Sequence, residues 1–120
     1  MNIVGICGSP KTEKSSTRFL LMKALEAAAE VESIGDVSTQ LVNVSDFEIR
    51  HCTGCDSCVR KKPCPQSAHD DMPKIEEIMK AADGIIIAAP SYFSSVPGVL
   101  KDLIDRSRTM KMLDHQLKDT

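Results

Sequence analysis

Four cysteines lie within thirteen residues near the middle of the chain, separated by two, two and five residues. They are Cys52, Cys55, Cys58 and Cys64. Thiolates are the ligands of iron–sulfur clusters, and a run this short can wrap one compact inorganic cube in which each iron needs one thiolate. The spacing therefore predicts a metal centre, with a 4Fe-4S cluster as the leading interpretation.

The residues around the last cysteine bear on that interpretation. Pro65 directly follows Cys64, as in the bacterial ferredoxin run, although there the last gap is three residues and the last cysteine serves a second cluster. The longer gap here would let Cys64 close the same cluster. Structural zinc is the main alternative, but its ligands more often come as two pairs a dozen or more residues apart. A disulfide or an unliganded set is the third interpretation.

Composition limits where this chemistry takes place. Of the 120 residues, 42% are apolar and 27% charged, as is typical of one soluble globular domain. The formal net charge of −2 predicts no nucleic-acid or membrane partner. The apolar start Ile3–Cys7 is too short for a signal peptide, and no apolar run is long enough to span a membrane. We therefore expect a cytoplasmic protein, where a tight cysteine group favours metal binding over disulfides.

Two further features near the cysteines have open interpretations. His51 precedes the first cysteine and either hydrogen-bonds to a cluster sulfur or is a solvated loop residue. The basic run of Arg60, Lys61 and Lys62 either offsets the charge of a cluster, attracts an acidic electron-transfer partner, or is a solvated turn. The fifth cysteine, Cys7, ends an apolar run, where a lone thiol usually behaves as a small hydrophobe.

Hydrophobic patterning predicts strands and helices in alternation. Nearly continuous apolar runs predict buried parallel strands at Ile3–Cys7, about 41–44 and Ile85–Ala89. Helical spacing predicts helices from Thr17 to about Val31, after the capping residues Asp70 and Asp71, and after Pro97. This order predicts a doubly wound parallel α/β sheet in a single domain over residues 1–120, with residues 47–66 as an inserted loop.

Ligands of such sheets bind at the carboxyl ends of the strands, where residues 8–17, 47–66 and 90–97 fall. The first loop is rich in hydroxyls and leads into a helix, as expected of a phosphate site. An ordinary turn capped by Ser16 or Thr17 is the alternative. The third loop holds Tyr92 and Phe93, which suit a flat ring ligand, and simple packing against a helix is the alternative there.

Four stretches together resemble the iron–sulfur flavoproteins within the flavodoxin-like NADPH-dependent FMN reductase group. They are GSPKTEKSST at 8–17, CTGCDSCVRKKPC at 52–64, DDMPKIEEIMKAADGIIIAAPSYF at 70–93 and VLKDLIDRS at 99–107. The resemblance implies FMN and a 4Fe-4S cluster as cofactors. By position, FMN phosphate would be held by Ser9, Lys11, Ser16 and Thr17. The flavin would be lined by Pro90, Ser91, Tyr92, Phe93 and Ser94. Lys11 stands where arginine is usual, in a loop that is one residue longer.

The same resemblance implies electron transfer between a one-electron donor such as ferredoxin and an acceptor, in a homo-oligomer, with no acid–base residue required of the protein. Two alternatives remain. One is an NAD(P)H-dependent FMN or quinone reductase whose cysteine loop is structural. The other is a flavin-free module that holds a cluster or zinc.

Length is the departure from the family. A flavodoxin-like sheet has five parallel strands in the order 2-1-3-4-5, whereas this sequence predicts three and reaches 117–120 where strand four would begin. Ile85–Ala89 would then be an apolar edge with unpaired backbone groups, which invites association. We expect the remaining strands to come from the natural gene product or a partner chain, or this edge to mediate oligomerisation.

Overall fold

The computed structural model describes residues 1–11, 13–31 and 35–114. Its three strands are β1 (Asn2–Cys7), β2 (Ser38–Asn43) and β3 (Gly84–Ala88). They form one parallel sheet in the order β2-β1-β3. This confirms the predicted α/β class and the first three places of the flavodoxin-like strand order. The predicted approach to strand four, at 117–120, lies outside the described residues.

In the described part of the chain, four α-helices connect or cover the strands. They are α1 (Ser16–Ala29), α2 (Met72–Lys80), α3 (Gly98–Arg106) and α4 (Arg108–Asp114). The first three agree with the predicted helices to within a few residues. The fourth was not predicted, and it forms because Met110 is buried and Thr109 donates a hydrogen bond to Glu76 Oε1 on α2 at 2.7 Å.

The sheet has a hydrophobic layer on each face. On one face α1 packs Leu21 and Leu25 against the sheet. Gly5 in β1 permits this contact, since a Cβ there would lie 2.7 Å from Leu25 Cδ1. On the other face α2, α3 and α4 bury a larger cluster that includes Ile6, Ile75 and Leu100. Both faces of β1 are therefore covered, as its continuous apolar sequence requires.

β2 is longer than its apolar residues indicate. It begins at Ser38, three residues before Leu41, because its backbone pairs with β1 along the whole length of that strand, from Asn2 opposite Ser38 to Cys7 opposite Asn43. Its first three residues are exposed, so polar side chains fit there. Within the described ranges, no helix is long and apolar enough to cross a membrane.

Candidate functional site

The three loops of unusual composition follow the carboxyl ends of the three strands, so they lie at the same end of the sheet. Residues 8–15 follow β1, residues 44–71 follow β2, and residues 89–97 follow β3. Because all three strands are parallel, these loops begin side by side. The backbone N–H of Gly8, for example, donates to the carbonyl oxygen of Ala88 at 2.8 Å.

The loop after β1 is organised around two serines. Ser9 is buried, and its Oγ accepts a hydrogen bond from the backbone N–H of Lys11 at 3.1 Å. Ser15 is the N-cap of α1, with Oγ accepting from the N–H of Arg18 at 3.2 Å. The alternative that Ser16 or Thr17 caps this helix is therefore wrong, because both lie inside its first turn. Their backbone N–H groups are at the positive end of the helix dipole, which favours an anion.

The loop after β3 contains a tight turn. Tyr92 and Ser95 exchange two backbone hydrogen bonds, of 2.8 and 3.1 Å. Between them Phe93 and Ser94 both have positive φ, 50° and 64°, which is typical of a type I′ turn but uncommon for a phenylalanine. The turn holds the Phe93 ring fully in solvent, at 104% exposure, while Tyr92 is 43% exposed. Packing against a helix therefore does not account for Phe93.

The loop after β2 carries the four cysteines between two short 3-10 helices, Val44–Asp46 and Pro65–Ala68. The chain turns sharply at Gly54, Asp56 and Lys61, which all have positive φ. All four thiols are free; Cys52 and Cys55 are exposed, and Cys58 and Cys64 are half-buried. Free thiols on a turning loop fit a group that is bound by thiolates. In the part of the chain that is described, no three His, Cys, Asp or Glu side chains converge as ligands of one ion.

The surroundings of Cys55 favour its thiolate. Its pKa is lowered, first by hydrogen bonding from Ser57, whose Oγ lies 3.4 Å from the sulfur, and further by Thr53 and the positive charge of Arg60. A lower pKa raises the fraction of thiolate, which is the form that binds metals.

A buried ion pair lies beneath the cysteine loop. Arg106 on α3 donates to Asp70 Oδ2 at 2.5 Å and to Oδ1 at 3.3 Å, and the two side chains are 1% and 0% exposed. Burial alone would lower the pKa of Arg106, but hydrogen bonding to Asp70 and the charges of Cys64 and Asp70 outweigh it and raise the pKa. Sequence reasoning missed Arg106, although it lies in one of the stretches that carry the family resemblance.

The start of α2 differs from the prediction that Asp70 and Asp71 are both capping residues. Its Oδ1 accepts from the N–H of Met72 at 3.1 Å, so it supports the first turn of the helix. Asp71 occupies the cap position, but its side chain makes no capping bond to the helix. It accepts from the N–H of Glu48 instead, at 2.8 Å. Both carboxylates therefore tie the cysteine-bearing segment to α2.

His51 is bound to α3. Its Nδ1 lies 2.6 Å from Asp102 Oδ1, and the hydrogen bond and charge of Asp102 raise the pKa of the imidazole. The histidine side chain is otherwise 88% exposed. The described partner of His51 is thus a carboxylate, which fixes the entrance to the cysteine loop on α3.

Five cationic residues lie on the cysteine loop and on α4, which contacts the loop. We define the basic surface as Arg60, Lys61, Lys62, Arg108 and Lys111. Arg108 Nη2 donates to Asp56 Oδ1 at 3.2 Å, and Lys61 Nζ donates to the carbonyl oxygen of Met112. These two contacts hold α4 against the loop. The positive charges of α4 therefore add to those of Arg60, Lys61 and Lys62. This concentration of positive charge contrasts with the formal net charge of −2.

The fold is that of a flavodoxin-like α/β protein, with a helix N-terminus and a thiol-bearing loop at the carboxyl end of its sheet. The chain belongs to the NADPH-dependent FMN reductase family, whose model matches residues 1–119.

Several curated relatives are called iron–sulfur flavoproteins. One from Archaeoglobus fulgidus is 40% identical over 119 residues, covering 99% of this chain and 55% of the relative. One from Methanocaldococcus jannaschii is 39% identical, with 93% and 54% covered. One from Methanosarcina thermophila is 38% identical, with 99% and 59% covered. The chain thus spans little more than half the length of these relatives.

Solved structures show the same fold at low identity. RosB with a bound 8-demethyl-8-formylriboflavin-5'-phosphate intermediate superposes with a TM-score of 0.67 and 18% identity, covering 88% of this chain and 41% of RosB. The azoreductase AzrA gives a TM-score of 0.62 and 14% identity, covering 95% of this chain and 56% of AzrA. The flavodoxin-like fold is therefore shared with these proteins.

Proposed function

We propose that the chain contains the cluster site and part of the FMN site of an iron–sulfur flavoprotein, which passes electrons between a one-electron donor and an acceptor. The observation that carries the proposal is that four free thiols lie at the same end of the sheet as the N-terminus of α1 and an exposed aromatic turn. When bound, a 4Fe-4S cluster exchanges single electrons and FMN exchanges two, so one-electron carriers can serve a two-electron reaction.

In this proposal Cys52, Cys55, Cys58 and Cys64 bind the cluster. The thiols are not in disulfides, and Ser57 already favours the thiolate of Cys55. Zinc would use the same donors, so the metal is identified here by the compact spacing and by the names of the relatives.

The FMN phosphate would bind at the N-terminus of α1. Ser9, Lys11, Ser16 and Thr17 are the proposed phosphate residues, and the helix is 14 residues long, so its dipole supports an anion there. The flavin ring would lie beside Pro90, Ser91, Tyr92, Phe93 and Ser94. The supporting observation is the Tyr92–Ser95 turn, which presents the fully exposed ring of Phe93 at the carboxyl end of the sheet.

The electron donor that best fits the basic surface is an acidic one-electron carrier of the ferredoxin type. Positive charge beside the proposed cluster would steer such a carrier to the place where electrons enter. The family model favours a second candidate, an NAD(P)H-dependent flavin reductase in which the cysteine loop is structural. Reduction of the bound flavin by NADPH at a rate independent of the cluster would support that candidate.

Anaerobic purification followed by iron, sulfide, zinc and flavin analysis tests the proposal. We expect four iron and four sulfide per chain with visible cluster absorption, as one 4Fe-4S cluster requires. We also expect the chain to bind FMN when it is added. Cys55→Ser should remove the cluster absorption and leave FMN binding largely unchanged. Cys7→Ala is the control, since this thiol lies outside the cysteine loop and is buried with Leu21 and Leu25 in the layer under α1, and it should retain the cluster. Zinc without iron in the wild-type chain would contradict the proposal.

A further inference from the structure

Arg106 is a buried cation whose position is fixed from several sides. Its guanidinium binds both carboxylate oxygens of Asp70, and the two side chains are almost completely excluded from solvent. A buried charge is tolerated only when it is paired and hydrogen-bonded. Because the ion pair joins α3 to the start of α2, the guanidinium has little freedom to move.

The same guanidinium joins the two ends of the cysteine loop. Nη1 donates to the carbonyl of Arg50 at 3.0 Å, two residues before Cys52. Nη2 donates to Ser67 Oγ at 3.4 Å, three residues after Cys64. One side chain thus fixes the separation between the residues that enter and leave the loop.

Cys64 lies within one turn of the Ser67 contact, since the Ser67 N–H donates to the Cys64 carbonyl oxygen at 3.1 Å. The charge of Cys64 is also one of the causes that raise the pKa of Arg106. Among the described residues, Arg106 Nε is buried and has no hydrogen-bond partner. A buried N–H without an acceptor has lost its hydration without compensation, and a sulfur acceptor would relieve that cost. The structure therefore holds a spare donor next to the last cysteine of the motif.

We propose that Arg106, held by Asp70, is the positioning residue of the cysteine site: it donates to the Cys64 sulfur and keeps this ligand in place for the cluster. The inference rests on the proposed function. An N–H donor to a cluster sulfur stabilises the more negative, reduced state and raises the reduction potential. Outer-sphere donors of this kind also slow the loss of metal.

The principal variant is Arg106→Lys, which keeps the positive charge but loses the fork that joins Asp70, Arg50 and Ser67. In chains purified without oxygen, we expect iron to be lost to a chelator about 10–100-fold faster than from the wild type, and the midpoint potential to become more negative. Arg108→Lys is the matched control, because Arg108 also pairs with an acid of this loop but does so at the surface. Its rate of iron loss and its midpoint potential should equal those of the wild type.

Two results would overturn the positioning role. One is a folded Arg106→Lys chain with the wild-type rate of iron loss and potential. The other is an equal change in both variants, which would indicate a general effect of losing arginine near the loop. Iron missing from the wild-type chain would instead overturn the proposed function, and this inference with it.

A measurement on the wild-type chain decides the matter if Arg106→Lys does not fold. With nitrogen-15 in the guanidinium groups, pulsed EPR of the reduced cluster should detect a hyperfine coupling to an arginine nitrogen. The coupling should persist in the variants Arg60→Lys and Arg108→Lys. In the wild type, the Arg60 side chain donates to the Cys55 carbonyl oxygen and the Arg108 side chain donates to Asp56. Its absence from the loaded wild type would overturn the role of Arg106.

Discussion

Asp70 keeps a negative charge although its side chain is fully buried. Burial alone would raise the pKa of the carboxyl, but hydrogen bonds from Arg106 and from the N–H groups of Arg50 and Met72 outweigh burial and lower the pKa. A carboxylate whose pKa is lower in the folded state stabilises the fold above its unfolded pKa, and this stability is lost as the pH falls through the folded value. The ion pair thus contributes at neutral pH and fails in acid.

Asp70→Asn should therefore lower the free energy of unfolding by about 3–5 kcal/mol near neutral pH, because it leaves the Arg106 charge buried without its partner. Urea unfolding at several pH values measures this. The difference between variant and wild type should begin to shrink below about pH 4, where the carboxyl protonates in the unfolded chain, and should go on shrinking as the pH falls through the lower folded pKa. Asp71→Asn is the control. Its side chain is 30% exposed and its loss should cost only about 1 kcal/mol. A difference that stays constant with pH would contradict the assignment of the charge to Asp70.

The strands and helices that the sequence predicted are those that a local hydrophobic pattern determines. The continuous apolar runs at Ile3–Cys7 and Ile85–Ala89 identified two strands, since both faces of a parallel sheet are covered. The start of β2 at Ser38 and the existence of α4 depend on strand pairing and on burial of Met110, and neither is visible in nearby residues. The cysteines were found by spacing, whereas Arg106 and Asp70 lie 36 residues apart and have no local signature as a pair.

The Tyr92–Ser95 turn holds the Phe93 ring in solvent, where its contribution to FMN binding can be tested. Phe93→Ala should weaken FMN binding about 10-fold or more, because the fully exposed ring is proposed to contact the flavin. It should not lower stability, since the ring buries nothing in the fold and alanine accepts the turn no worse than phenylalanine. Flavin fluorescence titration measures the affinity. Val31→Ala is the control, as this exposed residue lies beyond the far end of α1. Equal affinities for Phe93→Ala and wild type would remove Phe93 from the proposed flavin site.

For the whole molecule, the important feature is the asymmetry of the sheet. β1 is central, while β3 has a partner only on its β1 side among the residues described. Ile87 in β3 is 53% exposed, although its strand is the most apolar in the sequence. An apolar edge with unpaired backbone groups favours pairing with further strands. The relatives are almost twice as long as the stretch they share with this chain, so additional strands from one longer chain, or a second copy, would satisfy that edge.

Sedimentation velocity combined with intact mass tests this directly. We expect the chain of 120 residues to self-associate at micromolar concentration through the β3 edge. Ile87→Lys should weaken the association about 10-fold, equivalent to about 1.4 kcal/mol, because a charge on an edge strand opposes pairing. Leu20→Lys is the matched control, since Leu20 is 65% exposed on α1 and lies in the layer on the other side of the sheet. A stable, folded monomer of the full mass would contradict the prediction, and equal weakening by both lysines would place the contact elsewhere than on β3.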